Sequence, residues 1–369
     1  MKLAEADDQV NDFYVPSFLI KVGGKDVLRG LFLAVTSIEV DLKLKVPGRF
    51  SFSIDSAFDW EKREFVAGED ESRVDLLDLF AFGVSIEILL GYDEPSKLKP
   101  MLKGVVTEIG TSFAGDGTPG LTVSGYDQLY ALSVGRQTRH WERSYFSDAV
   151  SAVAAANSLP AAVGKTALLE TRIDQCQESD LAFIERVAER TASVFYMREG
   201  KFYFGPRRNT LSAKLELGWG AGLLGFTPTA NLARQIGEAE VLAWSTADAK
   251  AWVGKAKHGD EQDRDGQKKS GGDWLAKGIG KTAPFQINAP AHSQAEADGR
   301  ARAILNARAQ EFVSGEGESV GWPELLPDTN VSLSGLGRSF SKVYYVNEAT
   351  HILDDKGYRT RFRVEEATI

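Results

Sequence analysis

The sequence predicts an α+β, mainly β protein: two tube-like antiparallel β-barrels joined by a small helical and mixed domain. Three observations predict it. The first third of the 369-residue chain alternates apolar and polar residues at period two, the period turns helical near Tyr145, and strands resume after Leu211. On this reading, residues 1–140 form the first barrel, 141–210 the middle domain and 211–369 the second barrel.

Each element follows from its residues. Phe18-Leu-Ile-Lys-Val precedes Gly23-Gly24. Beyond it Val35, Ser37, Glu39 and Asp41 alternate with Ile38, Val40, Leu42 and Leu44, which describes a sheet with one wet face. Arg49–Ile54, Val84–Leu90 and Leu121–Ser124 continue the pattern, separated by Gly/Asp/Pro clusters such as Ala114–Gly120. From Ser147, read as an N-cap with Asp148 behind it, Val150, Val153, Ala154 and Asn157 share a helical stripe that stops at Pro160. A second helix begins at Ser179-Asp180, with Leu181, Ile184, Val187 and Ala188 inward. The hairpin Val194–Met197, Arg198–Lys201, Phe202–Phe204 closes the middle domain.

The run from Gly254 to Pro290 is rich in Lys, Asp, Gly and Gln, so it is expected to be a flexible insertion without a core of its own. Ser293-Gln-Ala-Glu296 is a capping-box pattern opening a helix, in which Glu296 and Arg300, and Asp298 and Arg302, are spaced for ion pairs. A final hairpin turns at Asp354–Gly357. Its second strand puts Tyr358, Thr360, Phe362 and Val364 on one face and Arg359, Arg361 and Arg363 on the other, with His351 opposite Thr360 and Glu348 across from the arginines.

Composition excludes several classes. A 43% apolar share fills ordinary cores, and the lone Cys176 permits neither an internal disulfide nor a cysteine-ligated zinc module. The first residues lack an apolar signal core, and the most apolar stretch, Asp75–Tyr92, is broken by Asp78 and Glu87, so neither signal peptide nor membrane span is expected. With 43 Lys+Arg against 52 Asp+Glu, a specific nucleic-acid surface is not expected either.

Candidate chemistry is sparse. Gly220-Ala-Gly222-Leu-Leu-Gly225 matches the dinucleotide pattern GxGxxG, but that use needs a helix starting inside the glycines, and Phe226-Thr-Pro228 opposes one; a glycine-rich strand connection is favoured. His140, His258, His292 and His351 lack metal-ligand spacing, and His351 reads as a structural histidine. Cys176 lies before a helix, where a thiol can be activated, with no histidine suggested beside it. The carboxylates Glu69-Asp-Glu71 and Asp354-Asp355 sit in hydrophilic loops or turns, not facing across a cleft. No catalytic, cofactor-binding or metal residue is assigned, and no enzyme activity is expected. A cell-wall hydrolase or carbohydrate-binding module is the alternative, and the hydrolase would need a cleft holding paired carboxylates.

Several strings together resemble the phage late control protein D family. They are Leu102–Ile109, Leu121–Leu132 with Gly125-Tyr-Asp127, the helix after Ser147, Glu178–Arg190 with its aromatic hairpin, Ala295–Asp298, Gly315–Pro327 and Gly357–Phe362, in consistent order across nearly the whole chain. That family comprises tail hub proteins, similar to the N-terminal hub part of type VI secretion spike proteins. The resemblance implies a homotrimer that caps the tail tube of a contractile phage or related injection particle and carries the spike. Its partners would be the tube or tube-initiator protein, the spike and other baseplate proteins. Assembly would take place in the bacterial cytoplasm, into a virion tail or an injection-particle baseplate. The resemblance brings no catalytic residues or cofactor, and Gly125-Tyr-Asp127 carries over only as a turn and packing motif. Because the sequence stops at Ile369, directly after the second barrel, the spike is expected to be a separate chain, and an acidic lumen would not trap anionic cargo.

Overall fold

The computed structural model describes residues 15–369 apart from 27, 29, 69–72, 93, 114, 116, 168, 246–248, 262–267, 281 and 292. Six strands build a first module: β1 (Pro16–Val22), β2 (Ala34–Lys43), β3 (Arg49–Asp55), β4 (Ser85–Tyr92), β5 (Lys99–Ser112) and β6 (Gly120–Asp127), in the order β1-β4-β5-β6-β3-β2. Alternation dictates their faces. Ile38, Val40, Phe50, Phe52, Ile54, Ile86 and Ile88 are all buried in one core, each such side chain contributing about 1.5–3 kcal/mol.

Six more strands build the second: β7 (Leu215–Trp219), β8 (Gly222–Ala230), β9 (Val313–Val320), β10 (Thr329–Ser334), β11 (Lys342–Asp354) and β12 (Gly357–Glu366), ordered β11-β10-β7-β8-β9-β12. Pairing of β11 with β12 closes this module into a barrel, and the hairpin register places His351 against Thr360 and Glu348 against Arg363, as the sequence predicts. Two details depart from an all-antiparallel pair of barrels. β7 runs parallel to both β8 and β10, and among the described residues β1 does not pair with β2. Instead β2 pairs with β11, Ile38 opposite Leu353 and Lys43 opposite Glu348, so both modules share one twelve-stranded sheet. Tyr358, at the start of β12, enters the first module's core, where its ring lies 5.7 Å from that of Tyr92.

Between the modules, helices α1 (Phe146–Ala156) and α2 (Asp180–Arg190) pack on short strands around Val150, Val153, Phe183, Ile184, Val187, Phe195 and Phe202. The α2 start is where Ser179 predicts it, the Ser179 hydroxyl accepting the Ala182 N–H at 3.1 Å. For α1 the expected Ser147 cap is corrected. The helix begins at Phe146 after Tyr145, whose N–H is accepted by Asp148 at 3.4 Å, while the Ser147 N–H donates to the Thr166 hydroxyl at 3.1 Å. Glu199 (φ 51°) and Gly200 (φ 72°) form the expected tight turn, both left-handed as a two-residue hairpin of this kind requires.

The expectation of a flexible insertion over 254–290 is also corrected. Strands Glu238–Ser245, Lys250–Lys257 and Phe285–Asn288 form a sheet, and helix α4 (Gln294–Gln310) lays Ala301 and Leu305 against it. Helix α3 (Gly271–Gly278) lies within the run, opened by a Ser270/Asp273 capping box and pinned by buried Leu275 and a Ser270–Thr368 bridge. Charge content misleads here because a few apolar residues suffice: Ala256 and Leu275 are buried and Ile287 packs on the same layer, while Trp274, Ile279 and Phe285 stay exposed. Residues 262–267 and 281 of the run lie outside the described residues.

Candidate assembly interface

Gly220 lies in the turn between β7 and β8 while Gly222 and Gly225 lie within β8, with Gly218 paired to Gly222, so no helix N-terminus is present there to hold a pyrophosphate. His140 lies on the strand Gln137–Tyr145, His258 bonds to Glu261 (2.9 Å) and Asp273 (3.1 Å), and His292 falls outside the described residues. His351 is fully buried, its Nδ1 2.8 Å from the Tyr358 hydroxyl and 3.2 Å from that of Thr360. Burial drives its pKa down to about 3. Cys176 is exposed and sits on the strand Leu169–Glu178 that precedes the α2 cap. Glu69–Glu71 lie outside the described residues; Asp354 pairs with Arg359 at 2.8 Å. Among the described residues no group of His, Cys, Asp or Glu is placed to hold a metal ion.

Gly125-Tyr-Asp127 has a packing role. A Cβ at Gly125 would run into the Val105 carbonyl oxygen and come 2.7 Å from the Phe50 ring. Asp127 accepts the N–H groups of Gly48 and Leu129, both at 2.9 Å; burial pushes its carboxyl up to about 7, against the pull of those two donors. The arginine stripe is a ladder on the barrel's outer face: Arg359 pairs with Glu318 at 3.0 Å, Arg363 with Glu316 at 2.5 Å and Glu348 at 3.9 Å.

Sequence reasoning missed the joints between units. Asp328, at φ 58° and buried, accepts the hydroxyls of Tyr196 and Tyr345, both at 2.9 Å, and the Arg208 N–H at 3.0 Å, tying the middle domain to the second barrel. Glu296 of α4 accepts Arg190 of α2 at 2.5 Å and lies 3.3 Å from Arg300, so the expected capping-box carboxylate serves as an inter-unit ion pair, while Ser293 still caps the helix. Beside this network a cavity of about 640 Å³ opens between α2, α4 and Lys45, whose pKa is lowered by burial and by Arg207. No local pattern marks the contacts that cross between units, since Tyr196–Asp328, Arg208–Asp328 and Arg190–Glu296 each join residues more than a hundred apart in the chain.

The two ends of the first module differ. Leu44 packs with Val194, Tyr196 and Tyr345, and the Lys45 N–H donates to the Phe195 carbonyl at 2.9 Å, so the middle domain covers the end where β2 stops. At the opposite end, where β2 starts, Phe32, Trp60, Phe82 and Phe113 are all exposed.

That is the architecture of a double β-module with one capped end. The chain belongs to the Alg8 N-terminal domain family. That family's model matches residues 22–355. No curated protein matches the chain. Among solved structures it is similar to the prophage MuSo2 43 kDa tail protein from Shewanella oneidensis, with a TM-score of 0.69 and 14% identity over 95% of this chain and 98% of that one. It is also similar to the tail protein from Neisseria meningitidis MC58, with a TM-score of 0.65 and 15% identity over 96% and 97%. An Escherichia coli component of the type VI secretion system, itself described as similar to bacteriophage tail proteins, aligns with a TM-score of 0.56 and 12% identity over 94% and 76%. At these identities the likeness is one of fold.

Proposed function

We propose that this chain is the structural hub of a contractile tail or related injection particle: a non-enzymatic homotrimer joining a six-fold inner tube to a separate three-fold spike. The observation that carries the reading is the lateral fusion of two six-stranded modules through β2 and β11. Three such chains offer six similar modules around a ring while keeping three-fold symmetry. β1, paired on one side only among the described residues, is the kind of edge that a ring buries between neighbours.

The late control protein D resemblance and the fold of the tail proteins above support the same reading. We place the first barrel at 1–140, the middle domain at 141–210 and the second barrel, with its inserted α/β layer, at 211–369. The partners are the tube or tube-initiator protein, the spike and neighbouring baseplate proteins, and the chain resides in the particle after assembly in the bacterial cytoplasm. Native mass spectrometry of the chain with its spike partner is expected to give three copies of this chain. A closed complex of any other stoichiometry overturns the symmetry-adaptor mechanism.

A further inference from the structure

We propose that the exposed aromatic end of the first module is the surface that receives the tube, and that the tube subunit meets it with an apolar face ringed by Lys and Arg. This rests on the hub reading above and adds which end faces the tube and by what chemistry.

Topology brings the side chains together. By strand direction β1, β3 and β5 end, and β2, β4 and β6 begin, toward this end, as the pairs Val22–Ile86, Ala34–Asp55, Ile54–Leu121 and Ser112–Gly120 show; β5 runs on past the start of β4, since Ser85 pairs with Val105. The connecting segments carry Phe32, Trp60, Phe82 and Phe113, exposed to 94%, 65%, 70% and 64%. Phe58 holds two of them, its ring 5.3 Å from Trp60 and 5.6 Å from Phe113. Phe32 has φ 52°, a left-handed conformation that bulky residues rarely adopt, and its side chain is left in solvent. A monomer gains nothing from this arrangement, whereas a protein interface does.

Charge selects the partner. The same segments expose Asp26, Asp55, Glu61, Glu64, Asp75 and Asp78 against Lys25, Lys62 and Arg63. A second copy docking through the same end would face its own acidic excess, so the complementary surface is basic and belongs to another protein.

Symmetry selects the tube over the spike. The middle domain covers the opposite end, and there is one middle domain per chain, so that end is three-fold by construction. At the aromatic end the Asp354–Gly357 turn of the second module arrives beside the first, because β2 starts where β11 finishes. Two module ends per chain make six in a trimer, which is the count a hexameric ring needs.

The test uses the full chain, the tube subunit and the spike chain from the same particle. We expect Phe32→Ser, Phe82→Ser and Phe113→Ser combined to leave the trimer and spike binding intact and to weaken tube binding by at least about tenfold. Asp26→Lys with Glu61→Lys, both at exposed positions, is expected to weaken tube binding alone and to reduce its salt dependence. Unchanged tube binding in both variants overturns the proposal and leaves the hub reading standing. Loss of spike binding, or of the trimer, in a folded serine variant also overturns it. A wild-type chain that neither trimerises nor binds the tube removes the hub reading and this proposal with it.

Discussion

The two six-stranded modules solve the problem of sheet closure differently. The second closes on itself through β11 and β12, and it makes room inside with glycines: a Cβ at Gly315 or Gly317 would press into the rings of Phe226 or Phe362 respectively. The first has no such closing pair among the described residues, and it fills its open side with Tyr358, Leu353 and Leu326 borrowed from the second. The second module borrows only the ring of Tyr92 from the first, whereas the first takes three side chains from the second. A chain built this way holds its two modules against each other, as the proposed symmetry adaptor would require.

The sharpest way to break that comparison is Tyr358→Ala. Truncating a buried aromatic side chain costs about 3–5 kcal/mol, and here the void opens inside the first module although the residue belongs to the second. Hydrogen exchange is expected to accelerate in β1 and β4 before it does in β7 and β10. Equal acceleration in both modules would show that they open as one unit and that the dependence is not one-sided.

A smaller effect separates the glycines of the two modules. Gly125→Ala drives a methyl into the Val105 carbonyl, which is backbone and cannot step aside, so a loss of roughly 3 kcal/mol is expected. Gly317→Ala meets only the far edge of the Phe362 ring, and a loss of about 1 kcal/mol is expected. Denaturant midpoints of the two variants measure the difference; a larger loss for Gly317→Ala would mean the second barrel is the more tightly packed.

Much of the fold was legible because strand alternation and helical stripes are local signals. The terminal hairpin, the α2 cap and the Glu199-Gly200 turn stand where residue types place them. The 238–310 layer was not legible, since its sheet pairs residues 239–242 with 285–288 and its apolar face is spread over separate segments. Nor were the joints at Asp328 and Glu296, where a single acid gains its meaning from distant partners. The aromatic end was hidden for a related reason: Phe32, Trp60, Phe82 and Phe113 each look like core residues in their own segment, and only the folded chain leaves all four outside.

Acid sharpens the comparison further, because each module buries a titratable group that is held toward its neutral form and titrates in the acid to neutral range. His351 in the second module has its pKa lowered to about 3, while the unfolded chain binds that proton near 6.5. As pH falls below 6.5 the unfolded state gains protons that the folded state refuses, so stability is lost progressively down to about pH 3. The loss reaches about 2 kcal/mol at pH 5. Asp127 in the first module is raised toward 7, so its contribution has the opposite sign: it is present below about pH 3.8 and lost as pH rises through 7. Urea unfolding of the wild type and of His351→Gln between pH 7 and 5 reads the histidine alone, since Asp127 is common to both. The variant is expected to lose about 2 kcal/mol less than the wild type over that interval. Parallel curves would mean that His351 accepts a proton inside the folded barrel, which would require Tyr358 and Thr360 to open and would couple the second module's closure to the first module's core.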